Sequence, residues 1–271
     1  MVTGQKTTLK INKLNSFSII NLTINIGYNE IGFILFDSIE NILIDSTDVS
    51  LEDITEIDNV ITKYFDEKKY NNLLNLITVN HYNNLHTIVP QALFDKNNIK
   101  NYLKFNNSLL KNDEYLYDTV KINECINIFV PIKFNISNLQ QHSKKVTQKH
   151  YTTNLINKVF KIEKNNTNSN LYLNINNSKI DIILVSDNQL KFINTFDYST
   201  NEDIVYYVLF CFEQLNLNPE NSPVVIAGDF SESIYDMIFK YIRHLSIYKS
   251  KIDLNHKLYL KFKNKLTYNS L

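Results

Sequence analysis

Apolar positions early in the chain fall in short, dense runs, Ile19–Ile26, Glu30–Phe36 and Asn41–Ile44. The breaks between them are brief and polar, Tyr28-Asn29 and Asp37 to Glu40. This pattern predicts a three-strand meander. From Leu51 the spacing changes. Leu51, Ile54, Ile57, Val60, Ile61 and Tyr64 recur at helical intervals and predict a helix from Leu51 to Phe65. Ser50, with Asp53 three residues on, supplies a capping pair at its start. Leu73–Val79 then reads as a buried strand.

The second half repeats the order. Strands are expected at Leu171–Ile175, Lys179–Val185 and Gln189–Phe196, and a helix from Thr200 to Leu215 with Ser199 and Glu202 as its capping box. Pro223 introduces the strand Val224–Ala227, and a helix from Glu232 to Arg243 closes the unit. One half laid on the other without a gap puts Leu22 on Leu171, Asn25-Ile26 on Asn174-Ile175, Ile31 on Ile180, Asn72 on Asn221 and Ile77 on Ile226. A repeat on this scale points to two copies of one domain and not to a solenoid. The expected division is residues 15–145, carrying an inserted segment at 85–145, and residues 146–271, ending in a Lys-rich tail. The insert reads as a turn with Pro90, a helix Asn98–Phe105 and strands at Tyr115–Ile122 and Ile126–Val130. A further helix is expected at Tyr151–Phe160, and the polar stretch Glu163–Asn170 reads as a linker or surface loop.

A meander, a helix, a strand and a helix make up the ribonuclease H-like unit. Two such units in tandem resemble the superfamily of actin, sugar kinases and heat-shock chaperones. The expected fold class is therefore α/β: two tandem ribonuclease H-like (actin-like ATPase fold) domains, each a mixed sheet with helices, separated by an inserted α+β segment. Local strings add to this. Thr87-Ile88-Val89-Pro90 with Leu93-Phe94 and Tyr102-Leu103, Asn194-Thr195-Phe196, Asp203 with Tyr206-Tyr207, Glu213-Gln214-Leu215, and Gly228 at a strand end resemble a Bacteroidota family of unknown function with this fold. The fold is also similar to that of the cytoplasmic actin-like components of pilus and secretion machines. The family resemblance implies no activity.

The superfamily resemblance does imply where a nucleotide would sit. Actin-like ATPases hold phosphates with the turn joining the first two strands of each domain. Such turns use Asp to order Mg²⁺ and its waters, and Gly to let backbone N–H groups approach phosphate oxygens. Here the first turn reads Asn25-Ile26-Gly27-Tyr28-Asn29 and the second Asn174-Ile175-Asn176-Asn177-Ser178. Both carry Asn where Asp is expected, and a neutral amide cannot offset metal charge as a carboxylate does. The glycine pair that passes beneath adenosine in those ATPases is reduced to Ala227-Gly228-Asp229. Gly228 equally fits a turn into a helix capped by Asp229 or Ser231. Asn25, Gly27, Asn174, Asn176 and Gly228 are thus the candidate remnants of a nucleotide cleft.

Composition narrows the classes further. With 44% apolar and 21% charged residues the chain is globular, not disordered. Heavy use of Asn, Ile and Lys reads as the codon bias of an AT-rich genome, so clusters of these residues say little. Formal net charge is zero and Arg243 is the only arginine, which argues against nucleic acid as a partner. Cys125 and Cys211 sit in apolar runs with no metal-type spacing, as in a reducing compartment. No signal peptide or membrane span is expected, so the default location is cytoplasmic.

His81 and His86 flank an expected hairpin turn, and His142 and His150 lie in a polar segment as surface histidines; no carboxylate or cysteine completes a metal set with them. Asp45 with Asp48, and Glu202 with Asp203, precede or begin helices and read as dipole partners, not catalysts. Lys249, Lys251, Lys257, Lys261, Lys263 and Lys265, interleaved with Tyr248, Tyr259, Phe262 and Tyr268, read as a solvated end. The sequence leaves three functions open. One is a non-catalytic actin-like scaffold or interaction protein that binds a protein partner or itself and needs no cofactor. The second is a weak ATP/Mg-binding ATPase or switch. The third is an RNA-associated accessory protein using the basic tail.

Overall fold

The computed structural model describes residues 19–40, 42–70, 73–143, 145–164, 168–176, 178–249 and 265. Asn41, Asn72, Asn177 and the tail lysines and aromatics other than Tyr248, Lys249 and Lys265 lie outside the described residues. The chain begins with β1 (Ile20–Ile26), β2 (Glu30–Asp37), β3 (Ile42–Ser50), α1 (Ile57–Lys68) and β4 (Leu74–His81). Next come β5 (His86–Pro90), α2 (Ile99–Lys104), β6 (Leu116–Val120), β7 (Cys125–Phe129), α3 (Ser137–Gln140), β8 (Val146–His150) and α4 (Tyr151–Ile162). The remainder is β9 (Asn170–Asn176), β10 (Lys179–Ser186), β11 (Gln189–Asp197), α5 (Asn201–Gln214), β12 (Val224–Gly228), α6 (Glu232–Phe239) and β13 (Leu245–Ile247).

Two five-stranded sheets have matching orders, β3-β2-β1-β4-β8 and β11-β10-β9-β12-β13, and a three-stranded sheet runs β5-β7-β6. In each large sheet the first three strands are antiparallel and the last two parallel to the first of the meander. The described residues form two compact units, one from 19–119 and 124–153, the other from 120–123, 154–249 and 265. β8, which the sequence divides from the first domain at residue 146, pairs with β4 of the first sheet.

Alternation explains the first core. Ile20, Leu22, Ile24 and Ile26 of β1 bury one face against Ile57, Ile61, Tyr64 and Phe65 of α1 and Ile77 and Val79 of β4. A 3₁₀ turn, Ile54–Glu56, leads into α1, and Asp53 caps it by accepting from the Thr55 N–H. Ser50 is not the cap; it ends β3. The helix stops at Lys69, whose left-handed φ of 50° turns its N–H to the Phe65 carbonyl. The second core repeats the logic with Leu171, Leu173 and Ile175 of β9, Val224 and Ile226 of β12, and Ile204, Val208 and Phe212 of α5.

The pairing registers revise several expectations. Leu22 faces Ile77, whereas Leu171 faces Val224. Ile77 therefore corresponds to Val224 and not to Ile226: the gapless overlay fails by two residues at the fourth strand. The capping box of α5 is Thr200 with Asp203, one residue on from Ser199 and Glu202. Its side chains satisfy the Asp203, Ser199 and Thr200 N–H groups. α6 ends at Phe239, short of Arg243. Glu163 is not in a surface loop but buried, its Oε1 accepting from the Tyr172 hydroxyl and from Asn170 Nδ2. Among the described residues no helix is long and apolar enough to cross a membrane.

Candidate functional site

The candidate asparagines Asn25 and Asn174 fall on corresponding rows of the two sheets. In the first unit the row across the strands is Lys149, Asn80, Asn25, Gly32 and Asp48. Asn80 Nδ2 donates to Asn25 Oδ1 at 3.0 Å. Gly32 leaves space where a β-carbon would come within 3.0 Å of Asp48 Oδ1 and 3.7 Å of the Asn25 β-carbon. A carboxylate from β3 thus comes close to the Asn25 position across a glycine.

In the second unit the row is Ala227, Asn174, Asp181 and Thr195. Here the carboxylate stands on the meander's second strand. Asn174 Nδ2 donates to Asp181 Oδ2 at 2.8 Å, and Thr195 Oγ1 donates to Asp181 Oδ1 at 2.7 Å. Asp181 is fully buried, and these bonds engage both of its oxygens, as a buried carboxylate requires. The sequence reading missed it; a single Asp inside the apolar run Ile180–Val185 was the available signal.

The turns themselves are closed. The Gly27 N–H donates to the Glu30 carbonyl at 2.9 Å, within the hairpin. Beyond it Tyr28 is exposed, its hydroxyl pKa raised by partial burial and by the Asp113 carboxylate. In the other turn the Asn176 carbonyl accepts from the Tyr198 hydroxyl at 2.6 Å, and the Tyr198 N–H donates to the Ser178 carbonyl. Partial burial and, secondarily, Asp229 raise the Tyr198 pKa.

Gly228 has a φ of 95°, and a β-carbon there would lie 1.9 Å from the Ile175 carbonyl oxygen. Only glycine allows that approach, which brings the Asp229 N–H to the same oxygen at 2.7 Å. The helix that follows is capped by Ser231, which accepts from the Ile234 N–H. Asp229 instead pairs with Lys265 at 2.7 Å. Gly228 thus pairs with Ile175, one residue beyond the Ala227–Asn174 pair, with Asn176 at the end of β9; Asn25 and Gly27 belong to the other unit.

A second polar cluster, in the first unit, involves histidines. His81 and His86 do not flank a hairpin, because β4 and β5 belong to different sheets. His150 is not at the surface; it is fully buried and paired in register with His81. Hydrogen-bond chemistry fixes the direction of each link. His150 Nε2–H donates to the Asn83 carbonyl at 3.0 Å, so its Nδ1 accepts from Thr152 Oγ1 at 2.7 Å. Asn127 Nδ2 donates to Thr152 and Thr153 Oγ1, each at 2.9 Å, while its Oδ1 accepts from His86 Nδ1–H at 3.1 Å. Thr153 in turn donates to Asp118 Oδ2 at 2.8 Å, which also accepts the His150 N–H. His81 Nδ1 accepts from the Ile132 N–H, leaving Nε2–H for Gln148.

Burial keeps these rings neutral. His81 and His86 are pushed down to about 4, and His150 well below the usual value, with His86 adding to the effect of burial there. Burial raises Asp118 to about 6 against its hydrogen bonds and Lys149. Among the described residues no group of three or more His, Cys, Asp or Glu side chains is placed to hold a metal ion.

This architecture is that of an actin-like ATPase fold. It is similar to a Bacteroides thetaiotaomicron protein with an actin-like ATPase fold and unknown function, with a TM-score of 0.76 and 18% identity over 95% of this chain and 96% of that one. It is also similar to the PilM–PilN type IV pilus biogenesis complex, with a TM-score of 0.60 and 8% identity over 88% and 91% of the two chains. The chain belongs to DUF3822, a family of proteins of unknown function, whose model matches residues 10–245. No curated protein matches the sequence.

Proposed function

We propose that this protein is a non-catalytic, actin-like scaffold or interaction protein, built as two ribonuclease H-like units in tandem and working in the cytoplasm. The observation that carries this reading is the internal use of both candidate asparagines. Asn25 accepts from Asn80, and Asn174 donates to the buried Asp181. Neither is a carboxylate, and the Gly27 N–H that could meet a phosphate closes its own hairpin. Its role is then to bind a protein partner or a further copy of itself. One of its fold neighbours comes from a complex of two proteins, PilM–PilN. Fold likeness is a weak warrant for function, so the nucleotide question comes first.

Thermal melts of the full chain with millimolar Mg-ATP, Mg-ADP or no nucleotide test it. A bound ligand at a hundred times its dissociation constant adds about 2.7 kcal/mol of stability, a shift of several degrees at this size. The expected result is no shift with either nucleotide. A dose-dependent rise would replace this reading with weak ATP binding.

A further inference from the structure

A largely buried histidine network, His150 fully enclosed and His86 half-buried, joins three parts of the first unit. It takes His86 and Asn127 from the three-stranded sheet, His150 from the edge of the five-stranded sheet, and Thr152 and Thr153 from the first turn of α4. Asp118 on β6 closes the far end. Each donor in the chain from His86 to Asn83 meets one acceptor, and the tautomers of His86 and His150 are set by their neighbours. The His86 and His150 rings stack with centroids 4.4 Å apart. A proton added to His150 Nδ1 turns an acceptor into a donor that faces the Thr152 hydroxyl, and it puts a charge against a second imidazole. One proton therefore removes the acceptor of two bonds, those from the Thr152 hydroxyl and the Thr152 N–H.

We propose that this network is an acid-sensitive latch that holds the three-stranded sheet and the first turn of α4 to the edge of the five-stranded sheet, and that it opens as one unit on protonation. The groups facing it are His81 from β4, His86 from β5, Asp118 from β6, Lys149 from β8 and Tyr151 from α4, whose ring lies 4.9 Å from that of His150. β7 contributes the amide of Asn127.

Each histidine is held neutral when closed and protonates freely when open, so the open form binds more protons below the ordinary histidine value. That contribution is complete above about pH 6.5 and is lost as pH falls toward about 4. Asp118 acts in the opposite sense. Its closed-state value is raised to about 6, so the closed form is the one holding the extra proton between about 6 and the ordinary carboxylate range. The two histidines of the network less one aspartate make opening about tenfold easier per pH unit between roughly 6 and 4.5.

Hydrogen exchange of the full chain from pH 7 to 4.5, corrected for intrinsic rates, tests the latch. Segments 86–90, 125–129 and 151–153 should lose protection together on that slope while 170–186 stays protected. N127D places a carboxylate against His86 and favours its protonated form at the loss of the two bonds from Asn127 Nδ2, so opening should be easier at pH 7 and nearly independent of pH between about 6 and 4.5. His142, stacked on Phe65 outside the network, gives the control H142Q, with an unchanged slope. Ring signals of His81, His86 and His150 in the wild-type protein provide a second readout if N127D does not fold; they should stay neutral until the segments open. Rings that titrate near pH 6.5 with the segments still protected would overturn the latch, as would loss of protection throughout both large sheets at one midpoint.

Discussion

Gly27, Gly32 and Gly228 differ in what a β-carbon would meet. At Gly228 it would sit 1.9 Å from the Ile175 carbonyl oxygen, on a backbone with φ of 95°. Gly228→Ala should cost about 3 kcal/mol or more, as clash and backbone strain combine. At Gly32 the nearest atom is the far end of the exposed Asp48 side chain, 3.0 Å away, which can swing aside. Gly32→Ala should cost about 1 kcal/mol or less, and Gly27→Ala, with ordinary contacts from 3.4 Å, should lie within about 0.5 kcal/mol of wild type. Urea unfolding of the three variants checks the order. From sequence, Gly228 could be placed at a strand end before a helix cap, because Ser231 and Glu232 follow it. The Ile175 carbonyl that makes glycine necessary comes from a strand more than fifty residues earlier. The same limit hid His150: its neighbours Lys149 and Gln148 are polar, and no local period marks which polar side chain faces a second sheet.

At the scale of elements, the helical intervals of α1 and α5 were legible because apolar burial sets them. Their caps were less so, since Ser199-Thr200 and Glu202-Asp203 satisfy the same spacing twice. The extended backbone at Thr200, φ −128° and ψ 163°, decides it. Thr200→Ala should cost about 1 kcal/mol and Asp203→Ala should destabilise in the same direction, whereas Ser199→Ala and Glu202→Ala should stay close to wild type; chemical denaturation separates the pairs. The supposed hairpin at His81–His86 failed for a related reason. Two strand-like runs joined by a short polar break look alike whether the second strand returns to the first or enters another sheet, as β5 does to pair with β7.

Across the whole molecule, Ile61 belongs to the main apolar cluster of one unit and Ile204 to that of the other. Both residues are fully buried, so Ile61→Ala and Ile204→Ala should each cost about 2–4 kcal/mol. With each residue in the cluster of its own unit, the two losses should add to within about 0.5 kcal/mol in the double variant, measured by equilibrium unfolding. The recurrence of element order was legible at this scale because each half repeats the same alternation of periods. The pairing of the fourth strand was not, since one strand's sequence does not name its partner's register. The displacement there, Ile77 standing where Val224 stands, has a consequence in parity. A strand turns over at every residue, so a slide of two returns each side chain to its own face, while a slide of one would turn Val79 out of the apolar core and put the polar side chains of Thr78 and Asn80 into it. Drift between the sheets is thus quantised: lengths before the fourth strand can change by even steps without touching the core, and an odd change must be absorbed in a loop.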